Sequence, residues 1–167
     1  MGCGKSSVGR RIAANTGRRF VDTDELVSSK EGRSISKIFA EQGEAHFREL
    51  ETGALAGLSE KSGIVLATGG GIILSEENRA TLKRLGPVVW LDANPDILFE
   101  RVSRNKKRPL LQTANPRETV HRLLQDRHHL YESAAQFTLD TSTLAHDATA
   151  DALIAEARRR FSWDSAA

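Results

Sequence analysis

Short apolar runs and helically spaced apolar positions alternate along this chain. The clearest run is Ile64-Val65-Leu66-Ala67, four apolar residues bounded by Gly63 and Thr68, the pattern of a strand buried on both faces. Val88-Val89-Trp90-Leu91 repeats it after Gly86-Pro87, and residues 19–21 and 137–139 predict two shorter strands. Val8, Ile12 and Ala13 share one side of a helix predicted over Lys5–Thr16. Further helices are predicted over residues 25–29, 34–42, 44–58, 76–85, 95–103, 116–130 and 147–161, with 162–167 as a loose tail. The chain shows no internal repeat and no low-complexity segment.

Strands alternating with helices predict an α/β fold with a parallel sheet. In such sheets ligands bind outside the carboxyl ends of the strands. Asp22 with Asp24, the glycine turn Gly69-Gly70-Gly71, and Asp92 with Asn94 each follow directly on a strand-like run. They are therefore expected at one edge of the sheet, around a single site.

A length of 167 residues suits one domain with its own core, placed here at residues 1–161. The formal net charge of +2 gives no footprint for nucleic acid or a membrane surface. No apolar run reaches the roughly 18 residues that a membrane helix needs. Cys3 is the one cysteine, which rules out an intrachain disulfide and suits a reducing, cytoplasmic setting.

The most chemically telling residues open the chain. Gly2-Cys3-Gly4-Lys5-Ser6 followed by a helical pattern is the second half of the phosphate-binding signature G-x-x-x-x-G-K-[ST]. Its first glycine would fall just upstream of Met1, and so would the strand that normally precedes it. Glycines let successive backbone N–H groups turn toward phosphate oxygens, and the helix adds its positive end. Lys5 would reach the β- and γ-phosphates and Ser6 would be a ligand for Mg²⁺. Read alone, the same residues also fit a glycine-rich turn that begins an ordinary helix.

Other residues carry two readings each. Asp22 and Asp24 point the same way if extended, so one could hold Mg²⁺ through water while the other accepts a proton from a hydroxyl; alternatively Asp24 caps the next helix. Arg48 offers the planar fork that grips a carboxylate, although spacing alone favours a solvated ion pair with Glu51. The glycine turn at 69–71 allows close approach to a ligand or is a plain turn. Arg101, Arg104, Lys106, Lys107 and Arg108 form a basic run, ending in Arg108-Pro109-Leu110-Leu111, that suits a mobile loop closing on phosphates. Arg127 is a candidate anion ligand whose default reading is a surface arginine. His121, His128 and His129 lack metal-ligand spacing and read as surface residues, and Cys3 as a small residue filling its loop position.

In combination these residues resemble shikimate kinase, a small P-loop kinase of the nucleoside-monophosphate-kinase type. The resemblance rests on Met1 to Ser6, Asp22-Thr23-Asp24, Gly43-Glu44 with Phe47-Arg48 and Glu51, Gly69-Gly70-Gly71, Arg108-Pro109-Leu110-Leu111, and Arg127 ahead of Leu130-Tyr131. It implies a three-layer P-loop NTPase fold with a five-stranded parallel sheet, the first strand absent here. It also implies a substrate-binding helical region near 25–60 and a mobile lid near 104–116. The implied reaction moves the γ-phosphate of ATP to the 3-hydroxyl of shikimate, on the route to chorismate and the aromatic amino acids.

By the same resemblance Gly2, Cys3, Gly4, Lys5, Ser6, Ser7, Arg101 and Arg108 would bind ATP, with Arg101 stacked on the adenine. Ser6 and Asp22 would hold Mg²⁺. Asp24, Arg48, Gly69, Gly70, Gly71 and Arg127 would bind shikimate, the two arginines gripping its carboxylate. Lys5, Asp24 and Arg108 would carry the chemistry, Asp24 as base, in a protein expected to be a monomer. Competing expectations are another small-molecule kinase, for gluconate or a nucleotide, or a non-catalytic domain that senses ATP or a metabolite. A nucleic-acid role for the basic run ranks third.

Overall fold

The computed structural model describes residues 2–103, 111, 113–161 and 163. Helix α1 (Lys5–Thr16) leads to strand β1 (Arg19–Asp22), helix α2 (Thr23–Glu31) and the long helix α3 (Ile35–Ala56). Strand β2 (Ile64–Ala67), a 3-10 turn (Ile72–Leu74), helix α4 (Glu76–Leu85) and strand β3 (Val89–Asp92) follow. Helices α5 (Pro95–Ser103) and α6 (Pro116–Ala134), strand β4 (Phe137–Asp140) and helix α7 (His146–Phe161) complete the order.

The alternation read from the sequence is therefore present, with differences at the boundaries. The two helices predicted at 34–42 and 44–58 abut at Gly43, whose φ of 80° and ψ of 176° interrupt α3. Helix α2 begins earlier than predicted because Asp22 caps it: its Oδ1 accepts the Asp24 N–H at 3.0 Å. The capping role proposed for Asp24 thus belongs to Asp22, and Asp24 lies in the first turn. Ser34, Ser75 and Asn115 cap α3, α4 and α6 in the same way, and Gly17 and Gly32 close α1 and α2 with left-handed backbone. The last of the helices is α7, longer by its first residue than predicted.

Strand β1 pairs in parallel with β2, Arg19 opposite Ile64 and Asp22 opposite Ala67. Strand β3 pairs in parallel with β4, Val89 opposite Phe137 and Asp92 opposite Asp140. The two ladders are separate sheets, and β2 and β3 do not pair with each other. They nonetheless lie in one layer. On one face Val65, Val89 and Leu91 pack on Val8, Ile12, Ala150, Leu153 and Ile154 of α1 and α7. On the other, Leu66 and Val88 pack on Leu55, Ile72, Ile73, Leu82 and Ala134. The result is helix, sheet, helix, as α/β patterning requires.

Candidate active site

The loop into α1 begins with Gly2 and Gly4 in the left-handed region, at φ 74° and 81°. Side chains other than glycine resist that backbone, and the packing forbids them too. A Cβ on Gly2 would lie 2.8 Å from Val102 Cγ1, and one on Gly4 would lie 2.9 Å from His146 Nε2. Cys3 between them is buried against Ala93, Leu98, Val102 and Val120, as expected of a small filler. Burial works against its ionisation, but the Lys5 ammonium at 3.8 Å helps to hold the thiol below its ordinary value. Ser7 is exposed at the first turn of α1.

Ser6 and Asp22, far apart in sequence, meet at this loop: Ser6 Oγ donates to Asp22 Oδ2 at 2.6 Å. Two hard oxygen donors beside a phosphate loop are the donor set that Mg²⁺ takes, since it keeps waters and phosphates for its other positions. No cluster of three or more His, Cys, Asp or Glu side chains that could hold a metal ion occurs among the described residues. His121 instead contacts Asp96 at 3.0 Å, and His128 meets Trp90 edge-on.

The second half of the site gathers on the glycine turn after β2. A Cβ on Gly69 would meet Glu51 Oε1 and would stand 2.9 Å from Asp24 Oδ1; one on Gly71 would run into the Arg48 guanidinium. Room for neighbouring side chains, not unusual backbone, explains these glycines: neither residue has a positive φ. The Gly69 N–H donates to Thr23 Oγ1 at 3.1 Å, fixing the turn to the start of α2. The Gly70 carbonyl accepts from Tyr131 Oη at 2.5 Å and from Arg127 Nη1 at 3.5 Å.

Arg48 and Arg127 depart from their default readings. Arg127 is only 8% exposed, so it is not a surface arginine. Arg48 does pair with Glu51, at 2.7 Å, and with Glu44, at 2.8 Å, but Glu51 has no exposed side-chain surface and the pair is not on a solvated face. Burial pushes the Glu51 carboxyl above its ordinary value, against the pull of Arg48. Burial likewise opposes the charge on Arg48, yet Glu44 and Glu51 hold it more firmly protonated than an ordinary arginine.

Cys3, Lys5, Thr68, Gly69, Gly70 and Asp92 line a common cavity, so the phosphate loop and the glycine turn open onto one space. Arg101 lies beside the phosphate loop, its Cβ 3.6 Å from where a Cβ on Gly2 would stand, and its Nη2 donates to the Thr141 carbonyl at 2.9 Å and the Ser142 carbonyl at 3.2 Å. Arg104, Lys106, Lys107 and Arg108 lie outside the described residues, as does most of the expected lid. Sequence reading assigned no role to Thr23 or Tyr131. Thr23 had a usable signal, a small polar residue between two aspartates at a strand end; Tyr131 had none, because its partner Gly70 is remote in sequence.

A family model described as shikimate kinase matches residues 1–158. A shikimate kinase of Actinobacillus pleuropneumoniae serotype 5b is 46% identical over 141 residues, covering 84% of this chain and 82% of that one. One from a Synechococcus strain is 50% identical over 135 residues, covering 80% of this chain and 71% of its own. Among solved structures, shikimate kinase from Acinetobacter baumannii in complex with shikimate superposes with a TM-score of 0.92 at 38% identity, over 96% of this chain and 90% of that one.

Proposed function

The chain belongs to the shikimate kinase family, and we propose how its own residues divide the work of that reaction. The activity is transfer of the γ-phosphate of ATP to the 3-hydroxyl of shikimate, giving shikimate 3-phosphate and ADP. One observation carries the division of labour: the phosphate loop and the glycine turn share a cavity, with Asp24, Arg48, Glu51 and Arg127 gathered at that turn.

Phosphoryl transfer needs positioning and charge stabilisation more than covalent chemistry. The amides of Gly2, Cys3 and Gly4, the start of α1 and Lys5 hold the phosphates, with Ser7 beside them, and Arg101 borders the nucleotide. Ser6 and Asp22 would hold Mg²⁺, which when bound would supply positive charge to offset that of the phosphates. Arg48 and Arg127 grip the substrate carboxylate from two different helices, so both reach the same anion only where α3 and α6 flank the glycine turn. Gly69, Gly70 and Gly71 meet the substrate through their backbone, the space beside Gly69 and Gly71 being taken by Glu51, Asp24 and Arg48. Asp24, exposed at the start of α2, orients the reacting hydroxyl and accepts its proton. Arg108 adds a cation to the transferring phosphate.

One domain over residues 1–161 acts as a monomer in the cytoplasm on this reading. No described helix is long and apolar enough to cross a membrane. ADP production with ATP and Mg²⁺, compared for shikimate, gluconate and nucleoside monophosphates, tests the reading. Turnover that depends on shikimate alone is expected, and turnover with another acceptor instead would displace it.

A further inference from the structure

Every nitrogen of the Arg48 guanidinium donates to a carboxylate of the protein. Nε and Nη2 bond to Glu44 Oε1 at 3.2 and 2.8 Å, and Nη1 bonds to Glu51 Oε2 at 2.7 Å. A carboxylate ligand must therefore share this guanidinium with two acids or displace one of them. The acids differ in what they can do. The Glu44 side chain is 43% exposed and can turn out to water, whereas that of Glu51 has no exposed surface. Glu51 Oε1 is buried as well, with no hydrogen-bond partner among the described residues. It faces the glycine turn, in the place that a Cβ on Gly69 would need, and Asp24 Oδ1 stands 2.9 Å from the same point.

We propose that binding of shikimate draws a proton from solvent onto Glu51. The inference rests on the reading above, in which Arg48 and Arg127 hold the substrate carboxylate. The charged groups around Glu51 are Arg48 on its own helix, with Glu44 beyond it, Asp24 on α2 and Arg127 on α6. Three carboxyl groups thus stand against two guanidiniums, and the substrate adds a further carboxylate. As Arg48 turns its charge to the substrate, Glu51 loses part of its ion pair and cannot reach water. A buried carboxylate in that position is relieved by protonation: one O–H bond forms on Glu51, and the arriving charge is offset. Burial already favours the neutral form of Glu51, so the step is a short one. The liganded protein holds this proton more tightly than the free protein. Affinity for shikimate is therefore highest where Glu51 is already protonated in the free protein, and it falls as pH rises through the interval between the two titrations.

Titration calorimetry with shikimate, from about pH 5.5 to 8.5 and at each pH in two buffers of different ionisation heat, counts the protons taken up. The wild-type chain is expected to take up at least about half a proton per shikimate at the pH of greatest uptake, with Kd rising toward tenfold per pH unit there. Glu51→Gln keeps the side-chain shape without a carboxyl to titrate, and its uptake should fall to less than about a tenth of a proton with a level Kd. The methyl ester of shikimate brings no charge to Arg48 and should bind the wild-type chain without uptake, an arm that does not depend on how the variant folds. Shikimate binding with no uptake at any pH overturns the proposal and leaves the assignment of the site standing. Equal uptake by Glu51→Gln, or equal uptake with the ester, overturns the proposal as well. A wild-type chain that does not bind shikimate overturns the assignment of the site, and the proposal with it.

Discussion

Arg48 and Glu51 form an ion pair of unequal exposure: Arg48 Nη1 donates to Glu51 Oε2 at 2.7 Å, the arginine side chain 22% exposed and the carboxylate not at all. The acid is thus committed to the protein, whereas the guanidinium stays partly exposed and lies over Gly71. Replacement by lysine keeps the charge but loses the fork. Arg48→Lys is expected to raise KM for shikimate at least tenfold while KM for ATP changes less than about twofold. Steady-state kinetics in both substrates checks this.

Glu51 has a pH signature of its own. Burial raises its folded-state pKa above 4.5, so the folded chain holds this proton more tightly than the unfolded chain does. Its contribution to stability is complete below the unfolded value and is lost as pH rises through the folded one. Glu51→Gln has no such proton to lose. The difference in urea midpoint between the two proteins should therefore move against the wild type as pH rises from about 4.5 toward neutrality. Parallel midpoint curves would contradict the assignment.

Tyr131 reaches Gly70 from the last turn of α6, and burial keeps its phenol protonated as a donor. Tyr131→Phe leaves the ring stacked on Trp90 but leaves the Gly70 carbonyl only the longer bond from Arg127. The expected result is a several-fold rise in KM for shikimate with kcat and the melting temperature little changed, since one neutral hydrogen bond contributes about 1 kcal/mol. A fall in melting temperature with unchanged KM would make Tyr131 a packing residue only.

Two glycine substitutions should have opposite effects. Gly71→Ala pushes the new methyl into the Arg48 guanidinium and should weaken shikimate binding at least tenfold, as measured by titration calorimetry. Gly53→Ala lies in the exposed middle of the second half of α3 with nothing within 4 Å of its Cβ. It should add about 0.5–1 kcal/mol of stability and leave kinetics unchanged.

Asp24→Asn separates chemistry from binding. It keeps the side-chain shape and a hydrogen-bonding group but cannot accept the proton. Turnover should fall by about 10²–10⁴ while shikimate affinity changes only a few-fold. Equal losses in both would assign Asp24 to binding alone.

The strands were legible because β2 and β3 are apolar on both faces, which leaves no competing pattern. The long helix was legible as two pieces because Gly43 separates two polar-faced segments, and it is there that the backbone breaks. The alternative of Asp24 as cap fell to Asp22 because the two are chemically alike, and only the chain path decides which oxygen meets the first free N–H. Arg127 could have been taken from the surface: it stands two helical turns from each of Val120 and Ala134, both buried, and so shares their face. Partners of the glycine turn were beyond reach, because Glu51, Arg48 and Tyr131 meet it only through tertiary packing. Arg108 and its neighbours fall outside the described residues.

Asp22 spends its two oxygens differently. Oδ1 is tied to the backbone two residues along its own chain, a bond that starts α2, while Oδ2 accepts from the rotatable hydroxyl of Ser6. One oxygen is thus fixed scaffolding and the other is an exchangeable contact. A ligand can take the second without unravelling the helix that presents Asp24, so occupancy and architecture are decoupled within a single carboxylate.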